Sequence, residues 1–193
     1  MAYPKFNGLK DRIFWAYANL SMFFASYQKG KLTYDTQSYM IRAKIFKGLR
    51  TGAMQIHSMF IDHHYKTDIG EVCAYCGVKH DRLALDHILP KSKGGRDTGD
   101  NLIKACKSCN SSKGDKDLLE WCDQYEILLD PWILRTYLKL VYEYSKENGL
   151  LDKHSDELNY SELPFNPQYL PIEMPDPECF FEIENIESNT IEM

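Results

Sequence analysis

No stretch of this chain is apolar for anything near the ~20 residues that a membrane-spanning helix needs. The first ten residues, Met1 to Lys10, are polar and mixed, without the charged-then-apolar pattern of a secretory leader. No segment repeats another, which sets aside solenoids and propellers. The chain also lacks an excess of positive charge, carrying 23 Lys and Arg against 28 Asp and Glu, for a net charge of −5. Taken whole, that balance argues against a polyanion partner. General disorder is excluded as well, because 44% of the residues are hydrophobic and 13% aromatic, enough to fill a core. A reducing, cytoplasmic setting without a membrane is the expectation.

What is present changes the charge argument. Residues 152–193 hold eleven acids and one base, Lys153, while residues 1–116 hold 19 Lys and Arg against 10 Asp and Glu. A basic body with an acidic tail points to a polyanion site on the body.

Of the six cysteines, four form two pairs, Cys73-x-x-Cys76 and Cys106-x-x-Cys109, with 29 residues between the pairs. In a reducing compartment this spacing predicts a structural Zn2+ held by four thiolates. A redox CxxC would need a strand-to-helix context that is absent here. Cys122 and Cys179 remain, and are expected to be buried free thiols.

Apolar residues at three- and four-residue steps predict a helix over 9–29, ending at Gly30. A second helix is predicted from about Asp35 to Arg50, with Ile41, Ile45 and Leu49 inward and Lys44, Lys47 and Arg50 on the other side. Residues 53–66 read as helical, with His57, His63 and His64 as structural or surface residues. Leu83 to Ile88 predicts a strand, Pro90 to Gly99 a loop, Asn101 to Ala105 a second short strand or turn, and Lys107 to Lys113 a short helix. Helices are expected again over 117–126 and 131–147, the latter opened by Asp130-Pro131. The organisation predicted is an N-terminal helical region 1–69, a core 70–118, helices within 119–151 and an extended, proline-containing acidic tail 152–193. The fold class is α+β, mainly helical, with a ββα core too small to be stable by burial alone.

Asp86 and His87 lie in the predicted strand. A carboxylate is a hard ligand suited to Mg2+ or Mn2+, and an imidazole can take a proton from water near neutral pH. Asn110 follows the last cysteine of the second pair, so a bound zinc would fix it relative to that strand; its amide oxygen is a second hard ligand. Asn101 is either a brace for the strand or a turn residue. Lys91, Lys93, Arg96, Lys104, Lys107, Lys113 and Lys116 surround these residues and predict a phosphate-binding patch.

Together Cys73-x-x-Cys76, Leu85-Asp86-His87-Ile88-Leu89-Pro90, Gly94-Gly95, Asp100-Asn101-Leu102, Cys106-x-x-Cys109-Asn110 and Lys113-Gly114 resemble the HNH, or ββα-metal, endonucleases, over about residues 70–118. The resemblance implies a catalytic His87 as general base, Asp86 and Asn110 on one divalent cation, Asn101 orienting the base loop and Lys113 on a phosphate. It also implies DNA as substrate, with RNA left open, and 5′-phosphate and 3′-hydroxyl products. The family often ends its motif in His where this chain has Asn110. That is similar to the phage junction-resolving members with a four-cysteine zinc site, and an oxygen-only ligand set favours Mg2+ or Mn2+. A non-catalytic zinc module that binds nucleic acid or protein would use the cysteines but leave Asp86, His87, Asn101 and Asn110 without purpose. The helical regions and the acidic tail could engage a second copy or a protein partner that licenses cleavage in a defence or mobile-element system. The tail could alternatively lie across the basic face and mimic DNA.

Overall fold

The computed structural model describes residues 4–56 and 71–181. It is mixed α and β and mainly helical, with one small two-stranded sheet among the described residues. Two compact units divide it, one formed from Met1–Ile13 and Ile56–Leu170, the other from Phe14–Gln55 and Pro171–Met193, so the division falls inside the first helix.

In the first unit, β1 (Ala84–His87) pairs antiparallel with β2 (Leu102–Ala105), with Asp86 opposite Ile103 and His87 opposite Leu102. The helix α3 (Lys107–Lys113) follows at once and packs against β1, completing a ββα unit. The connecting loop contains single 3₁₀ turns at Lys91–Lys93 and Gly99–Asn101. Gly95 is required in it, since a Cβ there would lie 2.1 Å from the Leu89 carbonyl oxygen.

Two further helices carry most of the apolar core of this unit. In α4 (Leu118–Gln124), Asp117 caps the first turn by accepting from the amides of Leu119 and Glu120, worth about 1 kcal/mol. In α5 (Pro131–Glu147), Asp130 caps the Trp132 amide and Pro131 opens the helix, as its sequence predicts. Trp121, Ile133, Tyr137, Leu138 and Val141 are buried, and the Tyr137 hydroxyl donates to Asp117 at 2.5 Å. Residues 152–170 are not a loose tail. Phe165 is fully buried with its ring edge-on to Tyr144, Leu170 is buried, and the carbonyls of Leu151 and Lys153 accept from the amides of Lys10 and Leu9. Apolar side chains spaced among prolines thus dock an acidic but turn-rich segment.

The second unit holds most of α1 (Leu9–Tyr27) and all of α2 (Thr36–Arg50). Asp35 and Ser38 form a reciprocal capping box at the start of α2. The inward residues of α2 are Ser38, Phe46, Gly48 and Leu49, whereas Ile41 and Ile45 are half-buried. The edge-on contact of Phe46 with Trp15 explains the shift of the buried stripe. The Trp15 indole donates to the Ile172 carbonyl, and Phe180 packs on Phe23.

Two further expectations change, for residues 53–56 and for Cys179. The helix expected over 53–66 is not present in residues 53–56, which form a turn closed by the Met54 amide on the Gly48 carbonyl. His57, His63 and His64 lie outside the described residues. Cys122 is buried as expected, whereas Cys179 is exposed.

Candidate active site

The first cysteine pair sits on a tight knuckle. The Cys73 amide donates to Val78, the Gly77 amide returns to Cys73, and Gly77 supplies the positive φ of 69° that closes the turn. The Ala74 amide donates to the Lys104 carbonyl at 3.0 Å, which fastens this knuckle to β2. The second pair opens α3, with Cys106 as its cap. Here the backbone supplies N–H···S bonds, from Cys106 to the Cys73 sulfur at 3.3 Å and from Cys109 to the Cys106 sulfur at 3.5 Å.

The four sulfurs all lie within 4.8 Å of one another. A tetrahedral zinc with bonds of about 2.3 Å needs sulfurs about 3.8 Å apart, so the set fits one metal ion such as zinc. Burial opposes ionisation of Cys106, but the Ser108 hydroxyl and the Cys109 amide together bring its thiol down to about 6. Burial pushes the thiols of Cys76 and Cys109 the other way, above their ordinary range, so the four sulfurs do not lean to the thiolate together without a cation.

The cluster joins the β1–β2 hairpin to α3, and Asp86, His87 and Asn110 are therefore held on neighbouring elements. Asp86 is buried, with Oδ2 accepting from the Tyr75 hydroxyl at 2.7 Å and facing the Lys113 ammonium at 3.1 Å. Burial, and then the charge of Asp86, push the Tyr75 phenol well above its ordinary range, so Tyr75 stays a donor. Its ring is edge-on to Trp121 at 5.2 Å, which ties the knuckle to α4. Asn110 is half-buried on α3. Among the described residues, the hydrogen bonds of Asp86 are on Oδ2 and those of Asn110 on its backbone, which leaves Asp86 Oδ1 and the Asn110 side-chain amide without one. Both offer hard oxygens, so in donor chemistry alone these residues fit a divalent cation.

His87 Nε2 lies 2.8 Å from Asp97 Oδ1, and the other oxygen of Asp97 pairs with Lys91. Those hydrogen bonds from Lys91 and His87 hold the Asp97 carboxyl below its ordinary range. An ionised carboxylate can only accept, so Nε2 is the donor in this bond, and the lone pair of the unprotonated tautomer is on Nδ1.

Asn101 is fully buried and clamps the loop after β1. Its Oδ1 accepts from the Leu89 amide at 2.8 Å, and its Nδ2 donates to the carbonyls of Leu89 and Arg96 at 2.9 and 2.7 Å.

The basic residues divide. Lys113, expected at a phosphate, is buried with its ammonium on the His87 carbonyl at 2.7 Å and on Asp86, and it offers nothing to solvent. The packing of α3 on β1 brings it there, and burying an ammonium requires such partners. Arg96 is drawn onto α5 by Glu143 and Glu147, Lys91 is paired with Asp97, and Lys116 donates to the Ser112 carbonyl beneath the Tyr125 ring. Lys107 is exposed, whereas Lys93 and Lys104 are half-buried.

Sequence reasoning missed Tyr75 and Asp97. Tyr75 sits inside the first CxxC, where only the sulfurs drew notice. Asp97 was an acid in a basic loop, and its place next to the Gly94-Gly95 turn, ten residues beyond His87, was the available signal.

Residues 73–116 match the family model for HNH endonucleases, so the chain carries an HNH domain there. Over 58 residues the chain is 36% identical to a CRISPR-associated endonuclease Cas9 from Corynebacterium diphtheriae, a stretch that covers 28% of this chain. The chain spans only 5% of the length of that relative. No solved structure shows a significant match to this chain.

Proposed function

We propose that the HNH domain of this chain hydrolyses phosphodiester bonds in DNA, with His87 as the general base and one divalent cation on Asp86 and Asn110. The observation that carries this reading is the convergence of β1 and α3. The four-cysteine cluster joins the knuckle, bonded to β2, to the start of α3, and α3 carries Asn110 while it packs on β1, which carries Asp86 and His87.

The hydrogen bonds support these roles. Asp97 keeps the proton on His87 Nε2, which leaves Nδ1 to take a proton from the attacking water. Asn101 holds the backbone on which that imidazole is mounted, because its amide bridges both polar groups of Leu89 and the carbonyl of Arg96. Tyr75 and Lys113 spend one oxygen of Asp86 and orient the other. Asp86 and Asn110 would hold Mg2+ or Mn2+, which would supply positive charge to offset what grows on the phosphate and the leaving 3′ oxygen. Lys107 at the start of α3 and Lys93 in the loop after β1 offer charge to flanking phosphates. Zn2+ is the structural ion of the four cysteines.

The test is cleavage of supercoiled plasmid by the wild-type chain and by His87→Ala, with Mg2+, Mn2+ or EDTA and with a single-stranded RNA in parallel. Cleavage of the plasmid that requires the cation and is lost in His87→Ala is expected. No cleavage by the wild type, or equal cleavage by His87→Ala, overturns the reading.

A further inference from the structure

Lys113 has no exposed side-chain surface, and its ammonium contacts Asp86 Oδ2 at 3.1 Å and the His87 carbonyl at 2.7 Å. It therefore neither reaches a bound nucleic acid nor floats as a solvated surface charge. The other candidate cation ligand, Asn110, is neutral. The formal charges of Asp86 and Lys113 cancel, and Asp97 in the loop after β1 is already shared between Lys91 and His87. A cation site built from protein alone gathers carboxylates, whereas Mg2+ sites with few carboxylates draw their remaining negative charge from substrate phosphates.

We propose that Lys113 neutralises the cation site of the free protein, so that the divalent ion binds tightly only together with a phosphate of the nucleic acid. This rests on the assignment of Asp86 and Asn110 as cation ligands. The consequence is a safeguard. A nuclease whose cation site is uncharged stays unloaded until a phosphodiester completes it. The coupling is reciprocal, so Mn2+ raises the affinity for nucleic acid by the same factor by which nucleic acid raises the affinity for Mn2+.

Charge and orientation are separable here. Lys113→Met removes the positive charge, leaves the Tyr75 bond to Asp86, and keeps the stem of the side chain. If Lys113 only positioned Asp86, the substitution would weaken cation binding. If it neutralises the site, the substitution tightens it in the free protein, by at least about tenfold for a unit charge a few ångströms from a divalent ion.

The experiment uses the full chain made cleavage-incompetent by His87→Ala, with and without Lys113→Met. Zinc content and circular dichroism are checked, and Mn2+ is titrated by calorimetry with and without a short DNA duplex. Asp86→Ala reports the Mn2+ taken up by the duplex itself. Expected are weak Mn2+ binding to the free protein, at least about tenfold tighter binding with the duplex, and a free-protein affinity raised by at least about tenfold in Lys113→Met. Equal Mn2+ affinity with and without duplex overturns the proposal, as does a folded Lys113→Met variant with unchanged or weaker affinity. If Lys113→Met does not fold, the coupling measured with lysine in place decides by itself. Absence of Mn2+ binding in both arms overturns the cation assignment underneath, an outcome distinct from tight binding without DNA.

Discussion

His87 and Asp97 meet at 2.8 Å, ring nitrogen to carboxylate oxygen, though ten residues separate them in the chain. The loop between them is closed by Gly94 and Gly95 and pinned by Asn101, so the pairing is a property of the loop's shape. It decides which nitrogen of His87 is free.

Asp97→Ala is expected to reduce the turnover of DNA cleavage by about tenfold to a hundredfold, part of what a positioned base contributes. Asp97 is exposed and outside the apolar core, so thermal stability and zinc content should be unchanged. A cleavage assay with saturating cation measures the first, and a melting curve the second. Full activity in the variant would remove Asp97 from the mechanism.

Asn101→Ala should cost about 2–5 kcal/mol of stability, because it leaves the Leu89 amide and two carbonyls without their buried partner. Urea denaturation of the full chain checks this. Asn101→Asp should be no better, since it restores the acceptor but not the two donated bonds.

Cys73→Ser should abolish the four-sulfur set and, with it, most of the fold of the ββα core, because a metal bound only by the folded chain contributes its binding free energy to folding. One zinc per chain is expected by elemental analysis of the wild type, with a strong chelator lowering the melting temperature. A wild-type protein that holds no zinc after purification in zinc-containing buffer would contradict the assignment.

Asp117 provides a pH test away from the metal sites. Burial raises its carboxyl to about 6, with the Tyr137 hydrogen bond opposing. A carboxyl raised in the folded state holds its proton more tightly there than in the unfolded chain. Its favourable contribution is complete below the unfolded value and is lost as pH rises through about 6. Asp117→Asn removes that titration and keeps an acceptor for the amides of Leu119 and Glu120. The stability of the variant relative to wild type should therefore improve by roughly 2–3 kcal/mol between about pH 4 and pH 7, read by denaturation at each pH.

The local elements were largely legible. The helices Lys107–Lys113 and Pro131–Glu147 begin and end where cysteine, proline and the capping aspartate predict. The strands were found within a residue or two, since four-residue strands leave little pattern to misread. The stripe of α2 was misjudged because Phe46 finds Trp15, a partner more than thirty residues away. The acidic segment after Leu151 read as an extended tail by charge. Its buried Phe165 and Leu170 show that a few apolar anchors outweigh a solvated acidic surface, each worth about 1.5–3 kcal/mol.

By itself, the sequence determined the ligand chemistry. Four cysteines at knuckle spacing, an Asp-His pair and an asparagine after the last cysteine specify which donor atoms are on offer, because those properties belong to the side chains and their spacing. Only the tertiary structure decided how the charges are spent. Seven bases around the motif look alike in one dimension. In three, Arg96 goes to the glutamates of α5, Lys91 to Asp97 and Lys113 into the interior against Asp86. The reason is physical: a charge takes its meaning from its distance to other charges and to water, and those distances are set by packing between elements remote in sequence.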